Sequence, residues 1–197
     1  MTTIYFVRHA HSSYTPDELK RPLSPAGLSD AEQVTKILQN EPINVAISSP
    51  YKRAVQTIAG ISEHFNIPIR EEVELRERLL SAYPLEDFEI AVRTVWEDPS
   101  FSWPGGESNK EAQRRGVNCL LHLLEQYEGK SIVIGTHGNI MALIMQHFDP
   151  KYDFAFWQSL SMPDIYKLVF SQHTLLSVER LWEVKNNEVS LAWSLRT

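Results

Sequence analysis

Three short apolar runs in this sequence each stop abruptly in polar residues and are each followed by a helix-forming segment. Ile4-Tyr5-Phe6-Val7 leads into Arg8-His9-Ala10-His11-Ser12. Asn44-Val45-Ala46-Ile47 leads into Ser48-Ser49-Pro50-Tyr51-Lys52-Arg53. Residues 131–135 lead into Thr136-His137-Gly138-Asn139. An apolar run without alternation marks a strand covered on both faces, as in parallel sheets flanked by helices. Open sheets of this kind bind ligands at the carboxyl ends of their strands. Spacing alone therefore predicts that Arg8, His9, Arg53 and His137 converge on one crevice.

The segments between these runs support the same architecture. Ser24-Pro25 opens a helix, with Ser24 as N-cap and Pro25 in the first turn. Leu28, Ala31, Val34, Ile37 and Leu38 then recur at helical spacing, and Ala54, Ile58, Ile61 and Phe65 mark a second helix. Residues 67–70 read as a strand entry. Residues 111–127 read as a long helix ended by Gly129, and residues 139–148 as another. Residues 165–170, 176–184 and 189–193 read as meandering strands, with Lys185-Asn186-Asn187-Glu188 as a hairpin turn. The whole predicts a three-layer α/β/α domain with a mostly parallel sheet and an antiparallel edge. One domain over residues 1–197 is expected. Periodicity fails over residues 78–106, which hold Tyr83, Phe88, Trp96, Phe101 and Trp103. Such aromatic content argues against disorder, so this stretch is read as a partly helical cap inserted in the domain.

Composition excludes several classes of function. The formal net charge is −6, which disfavours nucleic acid or an anionic membrane as partner. No apolar run approaches the length of a bilayer span. Residues 1–9 place no basic stretch ahead of an apolar one, so no secretion signal is expected. Cys119 is the single cysteine, which rules out an internal disulfide and fits a reducing cytoplasm. No feature of the sequence specifies an oligomeric state.

Two arginines and two histidines at one sheet edge suit phosphate. A guanidinium fork matches phosphate oxygens, and a loose phosphoryl-transfer transition state needs positive charge and an in-line nucleophile. A neutral histidine supplies that nucleophile, and nearby cations favour the neutral ring. No Gly-rich phosphate loop of the Walker type occurs here, so side chains must form the cradle.

These residues also resemble a known family. Val-Arg-His-Ala-His-Ser at 7–12 is similar to the Arg-His-Gly signature of the histidine phosphatase superfamily, also called phosphoglycerate mutase-like. Residues 48–57, Ser-Ser-Pro-Tyr-Lys-Arg-Ala-Val-Gln-Thr, resemble its second motif. Leu75-Arg76-Glu77, Pro104-Gly105-Gly106-Glu107-Ser108 and Thr136-His137-Gly138 resemble three more, in family order. The resemblance implies that His9 forms a phosphohistidine. It implies that Arg8, Arg53 and His137 bind the phosphoryl oxygens and that Glu77 protonates the leaving oxygen. Ser12 and His11 are further candidates for substrate contact. No metal or organic cofactor is implied, and the expected partner is a small phosphorylated substrate. Three departures stand out. Ala10 replaces the usual glycine, His11 replaces a frequent glutamate or glutamine, and residues 78–83 replace the Gly-x-Trp-Glu-Gly type of sequence that often follows the acid.

Three other readings compete with a phosphatase. His9-x-His11 could be a metal pair of a barrel hydrolase, but the chain has too few strand-helix units for that barrel. A non-catalytic phosphoester-binding protein on this fold would be expected to lack the nucleophile or an arginine. A mutase would be expected to cover its site with a longer C-terminal tail than the segment ending at Arg196-Thr197. Hydrolysis of small phosphate monoesters is therefore the expected activity. The aromatic cap, with few cations beyond Arg78 and Arg93, predicts better turnover of uncharged or aromatic monoesters than of phosphoglycerates.

Overall fold

A computed structural model describes residues 1–183. The order of elements is β1 (Thr2–Arg8), α1 (Pro25–Leu38), β2 (Val45–Ser48), α2 (Lys52–Phe65), β3 (Ile69–Glu71), a 3-10 turn (Val73–Leu75), α3 (Phe88–Glu97), α4 (Asn109–Gln126), β4 (Ser131–Thr136), α5 (Gly138–Phe148), α6 (Phe154–Ser159), β5 (Asp164–Ser171) and β6 (Thr174–Arg180). They form a six-stranded sheet in the order β3-β2-β4-β1-β5-β6. The β3-β2-β4-β1 portion is parallel, whereas β5 and β6 add antiparallel to β1 and to each other. The expected architecture is thus the observed one. The last expected strand, 189–193, and the turn at 185–188 lie outside the described residues, as does position 184 at the end of the preceding strand. That preceding strand begins two residues before its expected start, at Thr174.

Alternate residues of β1 explain the layers. Ile4 and Phe6 face a core that includes Leu120 and Leu124 of α4 and Ile140 and Ile144 of α5. Tyr5 and Val7 face the other side, against Val34 and Leu38 of α1 and Ile58 and Ile61 of α2. Every residue of the central strand β4 is buried. Burying each large apolar side chain of this kind contributes about 1.5–3 kcal/mol.

Helices α1, α3 and α4 start at side-chain caps. Ser24 Oγ accepts from Gly27 N at 3.1 Å to open α1. Ser108 and Glu111 form a reciprocal capping box on α4. Asp87 caps α3, accepting from Ile90 N at 2.9 Å. The start of α4 falls two residues earlier than its apolar periodicity suggested, because the capping box begins in the polar Ser108-Asn109-Lys110 stretch.

Residues 79–107 make an excursion from the sheet layer that closes on itself. Ala82 N donates to Pro104 O at 3.1 Å and Glu107 N to Leu79 O at 2.8 Å. Arg115 of α4 fastens the base. Its Nε and Nη2 grip both oxygens of Glu107 at 2.6 and 2.8 Å, and its Nη1 donates to the carbonyls of Glu74 and Arg76 at 2.5 and 3.0 Å. One guanidinium therefore ties the Glu107 end of the excursion to the backbone that leads to Glu77.

Candidate active site

The parallel register brings three strand ends side by side. Arg8 pairs with Thr136 across β1 and β4, and Ser48 pairs with Gly135 across β2 and β4. The chain beyond each strand continues the ladder by one bond. His9 N donates to Thr136 O at 2.9 Å, and Ser49 N donates to Gly135 O at 2.8 Å. His9, Arg53 and His137 thus meet at one edge, and the rings of His9 and His137 lie 5.1 Å apart.

The His9 ring is buried, and its tautomer follows from its partners. Nδ1 lies 2.8 Å from the carbonyl oxygen of Ala10, which can only accept, so Nδ1 carries the proton. The lone pair of the neutral ring is then on Nε2, and Arg53 Nε donates to it at 3.2 Å. Burial holds the His9 pKa well below 6.5, and the charges of Arg53, Arg8 and Arg21 push it the same way. The ring is neutral near pH 7, with Nε2 directed at a guanidinium.

Two arginines are placed by unlike means. Arg8 is the last residue of β1, and its Nη1 donates to the carbonyls of Leu160 and Ser161 at 2.9 and 3.0 Å. Its guanidinium lies over Gly138, where a Cβ would come within 2.8 Å of Arg8 Nε. Only glycine leaves room for it at the start of α5. Arg53 stands in the first turn of α2 and is buried, with its guanidinium 4.8 Å from the Tyr51 ring centre. Its Nη1 donates to the main-chain oxygen of Glu18 at 2.9 Å and lies 3.3 Å from that residue's Oε2.

His137 is fully buried. Its Nε2 is 2.8 Å from Ser49 Oγ, and its Nδ1 has no partner among the described residues. With the Ser49 hydroxyl donating to Nε2, Nδ1–H becomes a free donor. Burial, His9 and the arginines hold the His137 pKa well below 6.5. A histidine near pKa 6.5 in the unfolded chain takes up a proton below that pH, whereas these two folded rings do not. The unfolded state therefore binds more protons as pH falls through 6.5, and the fold loses stability there. The melting temperature is expected to be flat above about pH 7 and to drop between about pH 6.5 and 5. Equal melting temperatures at both ends of that window would contradict buried neutral rings.

Glu77 is joined to the start of α5. Its Oε1 accepts from Arg78 N at 2.9 Å and Ile140 N at 3.0 Å, and its Oε2 accepts from Asn139 N at 3.0 Å. This helix opens directly after His137, so the carboxylate and the histidine are placed by the same turn. Arg78 is also buried, and its Nε and Nη1 have no partner among the described residues.

The remaining candidates have other surroundings. The His11 ring bonds Ser24 Oγ at 2.8 Å, and the His11 carbonyl accepts from Ser24 N at 3.0 Å, which ties it to the cap of α1. A Cβ on Gly27 would lie 2.0 Å from that carbonyl. Ser12 bridges to Leu23, and its hydroxyl bonds no described residue. Among the described residues no group of three or more His, Cys, Asp or Glu side chains is arranged to hold a metal ion.

Several residues of the site were not singled out from the sequence. Thr57 Oγ1 accepts from Ala10 N at 3.0 Å and donates to Arg53 O at 2.7 Å, linking the two motifs. Its place four residues after Arg53, on the same helix face, was the available signal. Ser49 orients His137, and Glu18 and Arg21 come from a loop without periodicity. The excursion's aromatics divide in two. Trp96 packs against Phe154 and Trp157 and donates to Asn139 Oδ1 at 3.2 Å. Trp103 donates to Ala91 O at 3.1 Å and meets Phe101 edge-on. Tyr83 and Phe88 remain exposed. The basis for an aryl preference narrows to these two rings, because the other three support the fold of the excursion.

An α/β/α sheet with paired histidines and arginines at its strand ends defines a class of phosphate-handling proteins. The chain belongs to the histidine phosphatase superfamily (branch 1), whose family model matches residues 4–178. It is 26% identical over 146 residues to the uncharacterized phosphatase PhoE of Bacillus subtilis (strain 168), covering 70% of this chain and 72% of that one. It is 26% identical over 166 residues to the 2,3-bisphosphoglycerate-dependent phosphoglycerate mutase of Cytophaga hutchinsonii, covering 76% and 78%. Among solved structures, Bacillus stearothermophilus YhfR superposes with a TM-score of 0.75 at 22% identity, over 89% of this chain and 95% of that one. No helix among the described residues is long and apolar enough to cross a membrane.

Proposed function

We propose that this chain is a phosphomonoesterase that hydrolyses small phosphate esters through a phosphohistidine on His9. The observation that carries the reading is the fixed His9 tautomer, with a neutral Nε2 lone pair aimed into a pocket of two arginines and a second histidine. When a phosphoryl group enters, Arg53 Nε exchanges the His9 lone pair for a phosphate oxygen and uncovers the nucleophile. Nε2 attacks phosphorus, the ester P–O bond breaks, and Glu77 gives its proton to the leaving oxygen. Arg8, Arg53 and His137 Nδ1–H hold the three non-bridging oxygens, whose charge they offset in the transition state. Water then attacks phosphorus, the P–N bond breaks, and Glu77 takes back a proton. Ser12, with its uncommitted hydroxyl, is a further donor to phosphate, whereas His11 serves the loop. The segment from 78 to 106 covers the leaving group, and the domain acts as one unit in a cytoplasmic setting.

The test is phosphate release from a panel of monoesters, with acid-labile label on His9 trapped in parallel. Release that outpaces interconversion of 2- and 3-phosphoglycerate separates hydrolysis from mutase activity. Glu77→Gln is expected to slow alkyl esters by about 10²–10⁴-fold. The loss shrinks for a nitrophenyl ester, whose leaving group needs no proton. Equal losses on both esters would assign the acid elsewhere.

A further inference from the structure

Arg53 has two edges able to take phosphate in a bidentate manner, one made by Nε with Nη2 and one by Nη1 with Nη2. Each edge has one nitrogen already engaged. Nε donates to His9 Nε2, and Nη1 is held by Glu18 through both its main-chain oxygen and its carboxylate. The first contact is with the nucleophile itself. The second comes from a loop that has no counterpart among the motifs of the site. That loop is held in place from several sides. Ser13 N donates to Pro22 O at 3.0 Å, and Lys52 N at the start of α2 donates to Leu19 O at 2.9 Å. Asp17 Oδ1 accepts from Leu19 N and Lys20 N at 3.1 and 3.2 Å, which turns the chain at Glu18. The Glu18 carboxylate also pairs with Arg21, whose Nε is buried without a partner among the described residues. The carboxylate side chain is half exposed, at 50%, whereas the Arg53 side chain is 6% exposed.

A carboxylate on a buried arginine of a phosphate site occupies a position that an incoming anion would use. We propose that Glu18 is an internal anion that competes with phosphate for the Nη1 edge of Arg53 and so sets the affinity of the site for substrate and product. The proposal rests on the assignment of Arg53 to the phosphate pocket. Its consequence is specific. Free phosphate, with only its own oxygens to offer, must displace the carboxylate to gain both edges of Arg53. A substrate adds contacts through its leaving group and meets the same cost with more to offset it. Glu18 thereby weakens retention of the product, while the substrate keeps the contacts it adds beyond that shared cost. The pair with Arg21 gives the displaced carboxylate a partner, so the displacement does not strand a charge.

The experiment is a calorimetric titration of the full chain with inorganic phosphate, and with vanadate as a second anion. Glu18→Gln keeps the side chain's shape and leaves the backbone carbonyl on Arg53. It is expected to tighten phosphate binding about 3- to 10-fold, within reach of a partly exposed ion pair that no longer competes. Product inhibition by phosphate should strengthen by a similar factor. Glu18→Ala is a second variant and should move both values in the same direction. If Glu18 instead serves to hold Arg53 in place, its loss weakens phosphate binding, and that result, or no change, overturns the proposal. Wild-type binding that is lost in Arg53→Ala while Glu18→Gln fails to tighten it defeats this inference and leaves the phosphatase reading intact. No phosphate binding by either form defeats both.

Discussion

Replacing His9 by alanine is expected to reduce phosphoester turnover by at least about 10⁴-fold, the scale seen when a covalent nucleophile is removed, and to abolish phosphoenzyme formation. The physical reason is that no neighbouring group can take its place. Arg8 and Arg53 have no lone pair to offer, and His137 Nε2 is engaged by Ser49 Oγ. The protein should remain folded. The substitution removes one ring at the edge of the sheet, while β1 keeps its full pairing with β4 and β5. Circular dichroism verifies the fold and phosphate release gives the rate. A folded His9→Ala protein with near wild-type turnover would sink the mechanism.

Arg53→Ala is the second large effect, expected at about 10³-fold or more in rate. Arg53 has two roles that the substitution removes together. It supplies charge to the transition state, and it is the charge that most depresses the His9 pKa after burial itself. With that cation gone, the His9 pKa rises toward 6.5, so more of the ring is protonated on the acid side. The acid limb of the rate profile should therefore move to higher pH in the variant. Arg53→Lys restores charge without the fork, so it should recover part of the pH profile and less of the rate. A loss below about tenfold in Arg53→Ala, with an unmoved acid limb, would remove this arginine from the pocket.

The parts of the site that could be read from the sequence are those that chain direction and strand ends determine. An apolar run followed by Arg8-His9, another by Arg53 and a third by His137 can only meet at the carboxyl edge of a parallel sheet, and they do. Glu77 was assigned by resemblance, and its two backbone donors at the start of α5 depend on contacts across 62 and 63 residues that no local pattern encodes. Arg8 was legible as a candidate, but its anchors at Leu160 and Ser161 lie 152 and 153 residues away. His11 is a similar case. Its position in the motif suggested substrate contact or a loop hydrogen bond, and the bond of its ring Nδ1 to Ser24 at the next helix cap is one that only the fold reveals. Glu18 was invisible because an acidic residue in an aperiodic loop is ordinarily solvated, and only the fold brings it to a buried guanidinium. The excursion's aromatics were visible as composition. Which of them face inward depends on the pairing of 79–82 with 104–107, a non-local contact.

That pairing also bears on how such a protein can change over time. The excursion leaves and returns at one seam, held by Arg115, Glu107 and two backbone bonds. Insertions or replacements beyond the seam that spare Trp96 and its contacts with Asn139, Phe154 and Trp157 need not move the backbone of Glu74 and Arg76 that delivers Glu77. The outer turn then behaves as an exchangeable cassette. On the proposed function, rewriting that cassette changes what meets the leaving group, while the reacting atoms stay where the sheet holds them.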